Sequence, residues 1–196
     1  MRNRVGAGVA AVLVLGAVAA CGGEGLRVST APETGDLTVC VGDRPVDSLP
    51  DRDDGTPLMR VVVHVDELVE KRYAAVYTGL SVDEDGSAAD IWRIPSEAFD
   101  TAVCEAAVKG VTLRLHDTDV NEGRLINLSD RIVDDMKRWE GSFDLREVGP
   151  DERGFVVVGV DDPDKAEPIL KKAYGEWDAR HIRVEYVDQA ELTDTV

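Results

Sequence analysis

The sequence predicts an α/β (α+β) protein of two αββαβ-like repeats, each a three-stranded sheet packed by helices, with one further strand at the N-terminal end. Three observations predict it. Apolar positions switch repeatedly between a period of two and a period near 3.6, the marks of strands and helices in alternation. The order helix, hairpin, helix, strand is read twice along the chain. The composition, 196 residues of which 43% are hydrophobic, suffices for one sizeable core or two small ones.

Leu37-Thr38-Val39-Cys40-Val41 reads as a short strand. Asp43 to Pro57, rich in Pro and Asp, reads as a loop. Arg60 to Val65 is an apolar run and is expected to be a strand, with a short helix over Asp66 to Tyr73. Val76, Thr78, Leu80 and Val82 alternate along a strand, and Asp83-Glu84-Asp85-Gly86 turns it into a second strand, Ala88 to Ile94. Pro95-Ser96 opens a helix with Ser96 as its cap. The apolar stripe of that helix is Phe99, Ala102, Val103, Ala106 and Ala107, and Gly110 stops it. Val111, Leu113 and Leu115 then alternate as a strand.

The longest helix is expected over Glu122 to Glu140, with Leu125, Leu128, Ile132, Met136 and Trp139 on one face. Phe143 to Val148 reads as a strand, Gly149 to Gly154 as a turn, and Phe155 to Val160 as a central strand buried on both faces. Asp162-Pro163 starts a helix with Pro in its first turn, striped by Ala166, Ile169, Leu170, Ala173 and Tyr174. Ile182, Val184 and Tyr186 form the last strand. The two halves show an internal likeness. Asp83-Glu84-Asp85-Gly86 returns in the second half as Asp151-Glu152-Arg153-Gly154, and Ala98 falls on Ala166 at the same offset. Val111, Leu113 and Leu115 return as Ile182, Val184 and Tyr186, at a slightly longer offset. The boundaries that follow are 37–117 for the first half and 118–188 for the second, with a polar tail over 189–196.

The segment from Met1 to Ala20 reads as a signal peptide rather than as part of the fold. Met1-Arg2-Asn3-Arg4 is basic, and Val5 to Ala20 is apolar or Gly throughout, short for a bilayer-spanning helix and suited to a signal h-region. Val18-Ala19-Ala20-Cys21 resembles the lipobox of bacterial lipoproteins. That resemblance implies cleavage before Cys21, lipidation of its thiol, and a protein at the cell membrane held by its lipid anchor and facing the extracytoplasmic side. Residues 21–36 would be the tether. Cys40 and Cys104 remain, an even pair that reads as a disulfide in an oxidising compartment, with two buried free thiols as the other reading. The bridge would close a loop of about 65 residues and stabilise by roughly 4 kcal/mol.

The net charge of −17 argues against nucleic acid and against a polybasic membrane patch, since both need clustered Lys and Arg. No metal site or cofactor is expected: there is no C-x-x-C, and His64, His116 and His181 fall on separate elements. Asp51, Asp53, Asp54 and Gly55 have a faint look of a calcium loop but lack its twelfth-position Glu. Asp161-Asp162 is explained by helix capping. No serine sits in G-x-S-x-G or S-x-x-K, so no enzyme is expected. Trp92, Trp177 and Tyr174 are candidate interface residues, with Trp177 expected in a loop after Tyr174-Gly175; partial core burial is the alternative.

The duplicated unit resembles the pro-domain of alpha-lytic protease and related secreted serine proteases. The likeness is carried by Tyr77-Thr78-Gly79-Leu80 with Val82 and Asp83, by Val156-Val157-Val158-Gly159-Val160 before Asp161-Asp162, and by Tyr174-Gly175. It covers about Glu67 to Val187. It implies a module that folds or inhibits a protease, largely by pairing a sheet with it. No protease domain follows Val196 here, so action on a separate protein is expected. The same element order is similar to the BON domain of bacterial envelope proteins, which implies lipid or wall contact. The expected function is a non-enzymatic module binding an envelope or secreted protein, with the envelope-structural role as the alternative.

Overall fold

The computed structural model describes residues 37–49 and 55–189. The expected signal peptide, Cys21 and the tether lie outside the described residues, as do Asp51, Asp53, Asp54 and positions 190–196 of the tail. The elements are β1 (Thr38–Val41), α1 (Pro57–Leu68), β2 (Tyr77–Asp83), β3 (Ala88–Arg93), α2 (Glu97–Ala106) and β4 (Thr112–Asp117), then α3 (Glu122–Asp134), β5 (Leu145–Pro150), β6 (Val156–Val160), α4 (Pro163–Ala179) and β7 (Ile182–Tyr186). One sheet has the order β1-β4-β3-β2 and the other β5-β6-β7. In each, an antiparallel hairpin (β2–β3, β5–β6) is followed by a helix and a parallel strand (β4, β7). The αββαβ unit therefore occurs twice, and β1 joins the first sheet antiparallel to β4.

The likeness of the halves extends to detail. The hairpin register slips between Tyr77 and Gly79 in β2 and between Leu145 and Glu147 in β5, at the offset that relates the two hairpin turns. The matched aspartates do matched work. Asp83 accepts the Gly86 N–H at 2.9 Å and Arg114 of β4 at 3.2 Å. Asp151 accepts the N–H groups of Arg153 and Phe155, at 3.0 and 2.8 Å, and Arg183 of β7 at 3.3 Å.

Arg60 to Val65 is not a strand; it is the interior of α1. Leu58, Val61, Val62 and Val65 fall at helical spacing and are all buried, so packing on the sheet outweighs the strand preference of β-branched side chains. Thr56 caps this helix by accepting the Met59 N–H at 3.3 Å, and Pro57 sits in its first turn. The expected short helix over Asp66 to Tyr73 is the end of α1 plus one wider π-type turn, Val69–Tyr73. The helix expected through Glu140 is α-helical only to Asp134, then tightens into a 3₁₀ turn, Met136–Trp139. That change of winding leaves Met136 exposed, whereas Trp139 is buried. α4 is broken at Gly175, whose φ of 77° lies in the left-handed region. Trp177 consequently lies in the helical turn after the bend, not in a loop. β6 is central, with Val156, Val158 and Val160 fully buried beneath the helices. Its other face is only partly covered, and Val157 is half-buried there.

Each half has its own core. Phe99, Ile91, Leu113 and Leu115 anchor the first, together with α1. Leu125, Ile132, Val158 and Leu170 anchor the second. The β5–β6 turn docks against β2. A Cβ at Gly79 would collide with the backbone of Glu152. Thr78 Oγ1 lies 2.7 Å from Thr118 Oγ1, and Asn121 Nδ2 donates to the Ala75 carbonyl at 3.0 Å.

Candidate interaction surface

Sheet edges are where this fold leaves backbone groups unsatisfied. In the first sheet the outer side of β4 is taken by β1, in the register Cys40 to Leu113. In the second sheet no described strand lies outside β7. The Val156 N–H donates to the His181 carbonyl at 2.7 Å, and the Val187 N–H donates to the Val160 carbonyl at 3.0 Å. Odd-numbered residues of β7 thus face β6. The N–H and C=O groups of Ile182, Val184 and Tyr186 point to the open side. Tyr186 is 60% exposed. β7 is thus an edge strand with an open ladder, as β5 is at the other side of the same sheet.

Cys40 and Cys104 are bonded, with Cα atoms 5.1 Å apart, within normal disulfide span. The bridge ties β1 to α2. It is the bond expected of an extracytoplasmic domain, and no described helix is long and apolar enough to cross a membrane. No group of three or more potential metal-ligating side chains occurs among the described residues. The three histidines do not converge: His64 is on α1, His116 on β4, and His181 follows α4.

Trp92 is half-buried on the face of the first sheet turned away from α1 and α2. It stacks on His116 with centroids 4.8 Å apart, and Arg153 of the second half lies 5.9 Å above its ring. His116 Nε2 is 2.6 Å from Asp90, whose other oxygen accepts Arg114 at 2.8 Å. The polar side chains on this face therefore answer one another. On the same face of β1, Leu37, Val39 and Val41 stand exposed, an apolar stripe that alternation along the strand dictates.

Tyr174 is buried and is a core residue, not a surface anchor. Its hydroxyl donates to Asp135 at 3.0 Å. Burial, reinforced by the Asp135 carboxylate, raises its pKa well above the ordinary phenol value. Trp177 is half-buried. The Arg124 guanidinium lies 3.3 Å from its centroid, and Arg180 and His181 crowd it at 5.0 and 4.4 Å. Trp92 and Trp177 are thus partly buried, and each is flanked by arginine. The β7 edge and the exposed stripe of β1 were not singled out by residue in the sequence. The signal for the stripe was available: Leu37, Val39 and Val41 alternate around Cys40. Comparison with protein-family models, with curated proteins and with solved structures finds no match.

Proposed function

We propose that this chain is a lipid-anchored, extracytoplasmic, non-enzymatic module that binds an envelope or secreted protein by taking one of its strands along β7. One observation carries the reading: the two halves are alike, yet the position beside β4 is filled by β1 and the position beside β7 is open among the described residues. An added strand would satisfy the outward groups of Ile182, Val184 and Tyr186, while side-chain pockets would supply specificity. The resemblance to protease pro-domains gives the reading its most specific form, an inhibitor or chaperone acting on a separate secreted protease. The BON-like alternative, lipid or wall contact, draws on the exposed Leu37, Val39 and Val41.

The test immobilises the full chain through its N-terminal end and captures from culture supernatant and envelope extract. Val184→Pro and Tyr186→Pro each delete one outward N–H from β7, which an edge strand tolerates. The reading expects a protein captured by the parent and lost in both variants, with the Tyr186→Pro melt unchanged and the Val184→Pro melt lowered only by the packing it loses on the second core. Equal capture by the variants, or retention of lipid or wall fragments alone, would overturn it.

A further inference from the structure

Most arginines among the described residues are matched to carboxylates. Every one from Arg93 to Arg183 has an Asp or Glu within ion-pair distance. Arg44 and Arg72 have none among the described residues, and both line the same cavity. The cavity, about 360 Å³, lies between α1, the π-type turn and α2, and His64, Tyr73, Thr101 and Glu105 share its wall. The volume is at the small end of the range for ligand sites.

The wall is built, not incidental. Arg44 pairs by backbone with Val108 in an isolated bridge, and its carbonyl accepts the Lys109 N–H at 2.8 Å. One guanidinium nitrogen donates to the Glu105 carbonyl, which leaves its other N–H groups for a ligand. The π-type turn closes the helix in Arg72 and Tyr73, and its wider winding sets the direction in which these two side chains leave it. The Tyr73 hydroxyl is engaged, donating to the Ala98 carbonyl at 3.3 Å. His64 is half-buried in this wall. Glu105 is the one carboxylate among the residues of this wall, against two guanidinium groups.

We propose that this cavity binds a small oxyanion, a carboxylate or phosphate, gripped by the guanidinium groups of Arg44 and Arg72. Guanidinium suits planar oxyanions because its N–H groups meet two oxygens at once. The wall's own Glu105 and the acidic chain around it set the selectivity: a compact anion enters, and an extended polyanion is repelled. The inference rests on the cavity and is independent of the β7 reading. Two sources supply the chemistry, a free small anion or the terminal carboxylate of a peptide.

The test titrates the full chain with inorganic phosphate, with succinate, and with a short peptide in free-acid and amidated forms, read by NMR at the side-chain nitrogens of Arg44 and Arg72. Saturable shifts at these two groups are expected. Arg44→Gln and Arg72→Gln should each weaken binding about tenfold or more. Lys165→Gln, which removes the same charge from the exposed start of α4, should leave binding unchanged, and thermal melts report whether each variant is folded. A response to the free-acid peptide and not its amide assigns the site to a chain end; a response to phosphate or succinate without the peptide assigns it to a free ion. No saturable shift with any probe, or equal weakening by Lys165→Gln, would overturn the proposal.

Discussion

His181 joins three parts of the second half at one ring. It is 5% exposed, its Nδ1 lies 2.9 Å from the Gly154 carbonyl, and its Nε2 lies 3.4 Å from Asp119. Burial holds its pKa below the ordinary value of 6.5, and the Gly154 carbonyl and Asp119 only partly oppose this. The unfolded chain therefore binds a proton here at a pH where the folded chain does not. Stability from this site is present above pH 6.5 and is lost as pH falls through and below that value. Asp83, by contrast, is held below the ordinary carboxylate range by the Gly86 N–H and by Arg114, so its contribution is lost only at lower pH. Urea midpoints should therefore fall on acidification from pH 6.5. In His181→Gln the part of that slope due to the imidazole should vanish, with the lower-pH slope retained. An unchanged slope near neutrality would count against this account of the site.

At the scale of the element, β1 is the least self-sufficient strand. It has four residues and buries only Cys40 fully, while Val39 and Val41 face outward. Its attachment is one antiparallel ladder to β4 and the bond from Cys40 to Cys104. The bond spans 64 residues, a loop long enough for roughly 4 kcal/mol of stabilisation in the chain-entropy view. Cys40→Ser with Cys104→Ser should lower unfolding free energy by about that amount, measured by urea titration. Amide exchange should rise first in β1 while β2 and β3 stay protected, because the strand's apolar burial cannot hold it alone.

At the scale of the whole molecule, the halves are joined through the contact of β2 with the β5–β6 turn. Gly79 has no side chain because the Glu152 backbone occupies that space. Gly79→Ala should cost about 1–3 kcal/mol, as overpacking does, and should shift Trp92 fluorescence, since Arg153 of the same turn lies over that ring. Gly149→Ala is the control. It is also a strand glycine, yet its added Cβ meets nothing within 4 Å, and no comparable loss should follow. The joint also covers the Trp92 side of the first sheet's outer face and leaves the β1 stripe exposed.

The sequence by itself determined the element order, the duplication, the hairpin turns and the caps at Ser96 and Asp162, and it made Cys40 and Cys104 candidates for a bond that the structure forms. These depend on neighbours a few residues apart, or on two cysteines with no other partner. Tertiary structure decided what periodicity leaves ambiguous. The run of valines from Val61 could lie in a strand or a helix, and burial of Leu58, Val61, Val62 and Val65 against the first core made it helical. A left-handed Gly175 carried Trp177 back into a helical turn beneath Arg124. Packing in the second core put Tyr174 inside. The cavity could not be read along the chain, because Arg44 comes from the segment after β1, His64 from α1 and Arg72 from the π-type turn. Only the folded packing of α1 on α2, with β1 tied to α2 by the disulfide, brings the three to one wall.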